Sequence, residues 1–340
     1  MRVLVTSPWV PAEWIKAHGH EPAGVWFEPG FGPIRAGLRA GVCPFAQRVL
    51  HVVQAREDLA FVLSTHCDQL RRAGDALGAP AAERCFLFNL PATWQTRAAY
   101  QMVHEELERL GDFLVRLGGR APTPQVFGDQ MEQWRNKRKE LAGAGQWCPG
   151  AIYARALAQF HSTGTFELPV RQSVLVNAAR KTTGKRPRLA LIGGPLCLED
   201  LELLEQMEAL GGDVVLNATE TGERTLAPRG PARSEGGVRA ESDTLVGMVE
   251  ASARDIVEQC VDVFQRPNTP LYAWLGPRLA KRGVEGLVLW SHTGCDLWRA
   301  EANSLQEAFK LPLLVLEADA YGGVSPRESG RLQAFLEALK

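Results

Sequence analysis

Alternating apolar and polar stretches divide the second half of the chain into a regular series of strands and helices. The apolar run at 188–194, "RLALIGG", ends in glycines and predicts a strand. The amphipathic segment at 197–212 closes with Gly-Gly and predicts a helix, and 213–218 predicts the next strand. This strand–helix–strand order predicts parallel strands joined by a right-handed crossover.

The same alternation continues to the end of the chain. After a polar loop rich in glycine and proline, it predicts a helix running through about 265, helices near 271–282, from 296 and at 326–339, and strands at 286–291 and 311–318. This half is typical of an open parallel sheet with helices on both faces.

The first half has shorter strand-like runs, followed by long amphipathic segments. Strands are predicted around 22–27, 59–65 and 85–89, and helices at 96–119, at 124–143 and from near Pro149. These segments predict an α/β domain that carries a helical segment.

A basic stretch that contains glycine and proline separates the two halves. It is "KTTGKRP" at 181–187, directly before the clear strand–helix–strand unit. We therefore expect an N-terminal α/β domain at 1–185, with its helical segment at about 95–180, and a C-terminal α/β domain at 186–340. The predicted fold class is α/β, with two open, mostly parallel, Rossmann-like domains and the helical stretch inserted between them.

Charge and composition narrow the class of partner. The formal net charge of −1 gives no electrostatic footprint for nucleic acid. The cluster "RNKRKE" at 135–140 is interpreted as a solvated helix face. The N-terminus lacks the apolar core of a secretory signal, and the apolar runs are too short to span a bilayer. We expect a cytoplasmic protein without a membrane partner, in which thiols stay reduced.

Two of the seven cysteines end apolar runs in a similar way. Cys67 lies in "FVLSTHCDQLRR" at 61–72, and Cys295 lies in "LVLWSHTGCDLWRAE" at 287–301. Each follows a predicted strand and precedes a predicted helix, and a helix N-terminus stabilises a thiolate, which is both nucleophile and metal ligand. The aspartate after each cysteine is interpreted as a helix cap.

Three kinds of thiolate chemistry could use cysteines at these positions. Phosphatase-type catalysis needs five residues between the cysteine and an arginine, whereas Arg71 and Arg72 follow Cys67 after three and four. Structural zinc typically uses close cysteine pairs, and the chain has no C-x-x-C. Iron–sulfur ligation remains open and needs a third thiolate. The best candidate is Cys43 in "GVCPFAQRVL", where the following proline predicts a turn just before a helix.

The remaining cysteines are weaker candidates. Cys85 and Cys260 lie in apolar contexts typical of a core, whereas Cys148 and Cys197 stay open as additional ligands. Neither G-x-G-x-x-G nor a P-loop occurs, so dinucleotide or ATP binding has no motif support.

The ordered set of motifs resembles the 2-hydroxyacyl-CoA dehydratase and benzoyl-CoA reductase family, specifically its cluster-carrying, D-component-like subunits. The resemblance covers nearly the whole chain. It rests on the three cysteine stretches together with "SPWVPAEWIKAHGHEPAGV", "FNLP", "WRNKRKEL", "RLALIGGPL", "LGGDVVLN" and "LPLLVLEADAYGGVSPRESGRLQAFLEAL".

The resemblance implies a cofactor, a reaction and partners. The cofactor is a 4Fe-4S cluster held by Cys43, Cys67 and Cys295, with one iron left open for water or substrate. The substrate is an acyl-CoA thioester, which undergoes radical dehydration or reduction. The partners are a homologous subunit, in a homo- or heterodimer, and an ATP-dependent iron–sulfur activator protein.

Polar neighbours of two of these cysteines are candidates for proton transfer. They are Ser64 and His66 beside Cys67, and Ser291 and His292 near Cys295. Capping of the turns is the alternative role for all four.

Two alternative functions stay open. One branch of the family that the chain resembles carries an 8Fe-9S double-cubane cluster with more thiolates and reduces small molecules. The additional cysteines, above all Cys148 and Cys197, leave this alternative open. The other alternative is a non-catalytic cluster-binding subunit that holds a homologous catalytic partner.

Overall fold

Two four-stranded sheets, all parallel, form the frame of the protein. The computed structural model describes residues 1–28, 42–172, 186–227, 244–318 and 323–340. The sheet orders are β2-β1-β3-β4 and β6-β5-β7-β8. The strands are β1 (Arg2–Val5), β2 (Glu21–Gly24), β3 (Ala60–Ser64), β4 (Cys85–Phe88), β5 (Arg188–Gly193), β6 (Asp213–Thr219), β7 (Gly286–His292) and β8 (Leu313–Ala318).

The described residues form twelve α-helices around these sheets. They are α1 (Ala12–Ala17), α2 (Pro44–Ala55), α3 (Asp68–Asp75), α4 (Ala79–Ala82), α5 (Arg97–Arg116), α6 (Pro124–Ala144), α7 (Gly150–Thr163), α8 (Glu202–Ala209), α9 (Leu245–Glu258), α10 (Thr269–Lys281), α11 (Asp296–Phe309) and α12 (Pro326–Ala338). The predicted fold class is confirmed: a mixed α/β chain with two parallel sheets.

The central strands are apolar because helices cover both of their faces. Every residue of β3 and of β7 is buried, as expected for strands in the middle of a parallel sheet. Strand β1 is also central, although the first strand predicted from the sequence was at 22–27. The segment expected as a strand at 22–27 is β2 followed by a 3₁₀ turn at Val25–Phe27.

Both sheets have the same strand order, with the first and third strands in the middle. After the second strand, the chain returns past the first strand and adds the third on its other side. Ligands of open α/β sheets gather at such switch points, outside the carboxyl ends of the strands. The equivalent third strands are β3 and β7, and Cys67 and Cys295 follow them.

The helical layer contains a buried ion pair that the sequence analysis missed. Arg138 on α6 donates two hydrogen bonds to Glu13 on α1, at 3.2 and 2.9 Å, and both side chains are buried. The interpretation of the 135–140 cluster as a solvated face is therefore wrong at Arg138. The local run of charged residues indicated a solvated face, because the carboxylate that pairs with Arg138 lies more than a hundred residues away in the sequence.

Two helix boundaries differ from those expected. The helix expected through about 265 ends at Glu258, so Cys260 lies beyond it, although it is buried in the core as predicted. The helix expected at 197–212 is a 3₁₀ turn at Glu199–Leu201 followed by α8.

The expected division of the chain between 185 and 186 stays a prediction. Residues 173–185, which carry the end of the helical segment and most of the basic stretch, lie outside the described ranges. Within those ranges, no helix combines the length and the apolar character needed to cross a membrane.

Candidate functional site

Three cysteines occupy the position immediately before a helix. Cys43 precedes α2, Cys67 lies between β3 and α3, and Cys295 lies between β7 and α11. The expectation that Asp68 and Asp296 cap these helices is wrong, because each is the first residue inside its helix. Their carboxylates still lie in the first turn, where the helix dipole favours negative charge.

All three cysteines line one cavity of about 670 Å³ at the carboxyl edges of the two sheets. Burial raises the pKa of Cys67, and Cys43 and Cys295 both lie close enough to add to that rise. A Cβ atom placed on Gly294 would lie 4.0 Å from Cβ of Cys43. Residues distant in sequence therefore meet here, two cysteines from the N-terminal half and one from the C-terminal half.

The thiols of this cavity lie in a desolvated environment. Burial raises the pKa of Cys67 to about 12 and that of Cys295 to about 12, and it also raises the pKa of Cys43. Backbone N–H groups of the following helices partly offset this, and the amide of Ala46 donates to Sγ of Cys43 at 3.5 Å. The thiols are therefore protonated near neutral pH until a cation binds them, since coordination deprotonates a thiol.

His66 connects the cavity wall to the C-terminal half. Its Nδ1 lies 2.9 Å from Oγ of Ser64, and its Nε2 lies 3.3 Å from Oε1 of Glu220. Burial acts to lower the pKa of His66, but the nearby carboxylates of Glu220 and Asp262 together outweigh burial, and the pKa is raised. The ring also meets Phe264 edge-on at 5.6 Å between centroids.

A fully buried arginine lies behind the C-terminal part of the cavity wall. Arg224 donates from Nη1 to Oδ2 of Asp262 at 2.9 Å and from Nη2 to the Gly193 carbonyl at 2.7 Å. Its guanidinium also lies 4.9 Å from the ring centre of Trp298 on α11. Asp262 and Trp298 both line the cavity, so Arg224 holds two parts of its wall together from behind.

Three buried residues of this site, Glu220, Asp262 and Arg224, were not predicted from the sequence. Glu220 directly follows β6, and a carboxylate at the end of a predicted strand could have been flagged there. Arg224 lies in a polar loop rich in glycine and proline, and Asp262 lies in a segment predicted to be helical; no local signal indicates that either side chain is buried.

His292 lies at the end of β7 and also lines the cavity. Its ring stacks on Phe45 at 5.5 Å, and Nε2 lies 3.2 Å from the Pro195 carbonyl. Burial lowers its pKa. Behind it, the donor atoms of Cys197, Asp200 and His292 all lie within 4.8 Å of one another.

The polar partners in that buried group are largely engaged. Asp200 accepts hydrogen bonds from the amides of Cys197, at 2.8 Å, and Gly323, at 2.9 Å. Cys197 is fully buried and does not line the cysteine cavity. Among the described residues, this group is the one with donors spaced for a single metal ion.

The structure brings some of the predicted site residues together and separates others. Cys43, Cys67, Cys295, His66 and His292 line one cavity. Ser64 and Ser291 are buried in β3 and β7 behind it. Cys148 lines a different cavity, at the junction of α6 and α7.

Comparisons with known proteins identify the family. No curated protein matches the chain. The family described as "2-hydroxyglutaryl-CoA dehydratase, D-component" matches residues 9–339, a range that contains all three cavity cysteines and seven of the eight strands. With this match over nearly its whole length, the chain belongs to the 2-hydroxyglutaryl-CoA dehydratase D-component family.

Proposed function

We propose that the chain is a component of a 2-hydroxyacyl-CoA dehydratase and holds a 4Fe-4S cluster with Cys43, Cys67 and Cys295. The observation that carries this proposal is the convergence of three thiols, from three separate helix N-termini, on one cavity. Family membership supports the reaction class. The proposed partners are an acyl-CoA substrate, a homologous subunit and an ATP-dependent iron–sulfur activator.

The residues of the cavity fit a cluster in three respects. Each thiolate of a cluster binds a different iron, so its ligands surround a cavity instead of meeting at one ion. Each sulfur is next to the first turn of a helix, whose N–H groups favour the thiolate. Three thiolates leave one iron of a four-iron cluster without a cysteine ligand, and a cluster held there would supply low-potential, one-electron chemistry to a thioester.

The number of thiols favours the smaller cluster. Among the described residues, no fourth cysteine lines the cavity. A double-cubane cluster needs more thiolates, and the two remaining candidates, Cys148 and Cys197, lie elsewhere.

His66 is suited to hold a proton at the cavity wall. Dehydration expels a hydroxyl group as water, and a positioned acid that protonates the leaving oxygen speeds such a step. The two ring nitrogens of His66 lie 3.3 Å from Oε1 of Glu220 and 2.9 Å from Oγ of Ser64. We propose that His66 and Glu220, which both line the cavity, hold a proton between them and deliver it to the leaving oxygen, while apolar side chains such as Leu90 and Phe264 limit the water beside them.

A substitution of His66 tests the catalytic proposal. In an anaerobic assay of 2-hydroxyacyl-CoA dehydration, with homologous subunit and activator present, His66→Gln should keep its iron and lower the rate by about 100-fold or more. The matched control is His104→Gln, on α5 and outside the cavity lining, which should keep the wild-type rate. A His66→Gln enzyme that holds iron and dehydrates at the wild-type rate would contradict the proposed role.

A further inference from the structure

A second cavity, lined by cations and indole rings, lies beside β6 at the other end of the C-terminal sheet. Its volume is about 720 Å³, within the range of small-molecule sites. The first residues of β5 and β6, Arg188 and Asp213, line it, whereas the cysteine cavity lies at the carboxyl ends. No described residue lines both cavities.

Two of its cations are already paired. Arg282 donates to both carboxylate oxygens of Glu223, at 2.7 and 2.6 Å. Arg188 lies 3.7 Å from the carboxylate of Asp213. These pairs account for both carboxylates that line the cavity.

The other two cations have no carboxylate in contact among the described residues. Lys281 is exposed at the end of α10, and Arg278 lies one turn before it on the same helix. Arg278 donates one hydrogen bond, from Nη1 to the Trp274 carbonyl at 3.0 Å. Partial burial lowers its pKa, so the site bears a cation that a bound anion would stabilise.

Indole rings provide the rest of the recognition surface. Trp147, at the junction of α6 and α7, and Trp274, on α10, are both half-buried and both line the cavity. The Arg278 guanidinium packs over the Trp274 ring at 4.1 Å. Flat aromatic faces next to unpaired cations are the chemistry that binds a base and its phosphates.

We propose that this cavity binds a nucleoside diphosphate, with the phosphates on Arg278 and Lys281 and the base against the indole rings. Phosphate oxygens accept charge-assisted hydrogen bonds from the free N–H groups of both side chains. The adenosine diphosphate end of coenzyme A shares this chemistry with free nucleotide, so both sources must be compared.

Calorimetric titration of the full, anaerobically purified chain tests the site, with ADP, pyrophosphate, adenosine and coenzyme A as probes. One ADP should bind per chain, and Arg278→Gln and Lys281→Ala should each weaken it by about tenfold. Trp274→Leu should weaken ADP by a similar factor and leave pyrophosphate unchanged. Arg327→Ala, which removes an exposed cation on α12 outside the cavity, should change nothing.

Two further measurements test whether this site is independent of the cavity lined by the three cysteines, and whether its ligand is free nucleotide or coenzyme A. Cys67→Ser should bind ADP as the wild type does, whether or not it holds a cluster. Displacement of ADP by coenzyme A, together with weaker binding of coenzyme A to Lys281→Ala, assigns the cavity to the nucleotide end of coenzyme A, and retention of ADP assigns it to free nucleotide. ADP binding that survives both cation variants, pyrophosphate binding as tight as that of ADP, or no ADP binding to the wild type would overturn the proposal.

Discussion

Arg224 is the residue on which the C-terminal wall of the cysteine cavity most depends. Besides Asp262 and Gly193, it donates to the carbonyls of Ala218, at 2.8 Å, and Val261, at 2.7 Å. It thus ties the ends of two strands to the segment after α9. A buried arginine with this many acceptors is stable only while each acceptor is in place.

Replacing Arg224 should therefore destabilise the protein strongly. Arg224→Met leaves the carboxylate of Asp262 buried without its cation, and we expect the free energy of unfolding to fall by about 3–5 kcal/mol. Urea unfolding of the purified chain measures the change. Adding Asp262→Asn should recover part of the loss, and Arg254→Met, at an exposed position on α9, should stay within about 0.5 kcal/mol of wild type. An Arg224→Met loss no larger than the Arg254→Met loss would contradict this role.

At the residue scale, the sequence could indicate the cysteines but not their neighbours. Cys67 and Cys295 carry a local signal, since each ends an apolar run before a helix, and Cys43 carries one in its proline. Arg224 lies in a polar stretch typical of a solvated loop, yet it is fully buried. Its burial is decided by acceptors up to 38 residues away, which no local pattern reveals.

Two glycines show how backbone geometry shapes the elements. Gly193 ends β5 with φ of +143°, and a Cβ atom there would lie 1.8 Å from the Trp290 carbonyl oxygen on β7. Gly143, in the last turn of α6, has no atom within 4 Å of a Cβ position. The same substitution should therefore have opposite effects at the two positions.

We expect Gly193→Ala to prevent β5 and β7 from pairing at the carboxyl end of the C-terminal sheet, so that this sheet does not fold. We expect Gly143→Ala to stabilise the protein by up to about 1 kcal/mol. The methyl group of Gly193→Ala would push the backbones of neighbouring strands apart. Gly143→Ala removes only the conformational freedom that glycine has in the unfolded chain. Soluble yield and thermal unfolding compare the two. A Gly193→Ala chain as stable as Gly143→Ala would show that β5 and β7 can separate without cost.

At the element scale, long periodic segments were predicted well and short ones poorly. Helices α5 and α6, each about twenty residues long, lie where their periodicity placed them. Strand β1 was missed because four residues, "RVLV", give no measurable alternation. Its central position becomes evident only from its pairing with β2 and β3.

Across the whole molecule, the two halves contact each other close to the cysteine cavity. The amide of Arg266 donates to the Ala92 carbonyl at 2.8 Å, and Nε1 of Trp94 donates to the Pro267 carbonyl at 2.8 Å. Cys43 and Cys67 come from one half and Cys295 from the other. A cluster held by all three would therefore bind only the assembled molecule, and binding of a metal group to the native state alone adds to stability.

Loss of the cluster should consequently lower the stability of the whole chain. We expect exposure of the iron-loaded protein to air to lower its unfolding temperature by about 5 °C or more, measured by calorimetry under argon before and after exposure. Cys67→Ser should unfold at one temperature regardless of air. A wild-type unfolding temperature that air does not change, despite loss of iron, would contradict shared binding by both halves.

The most direct test of the central claim is an anaerobic count of iron and sulfide per chain. We expect about four of each in the wild type and in Cys85→Ser, whose half-buried cysteine on β4 lies outside the cavity lining. Cys43→Ser, Cys67→Ser and Cys295→Ser should each hold less than one quarter of that amount. Full iron and sulfide in any of these three variants would contradict the assignment of the cluster to this cavity.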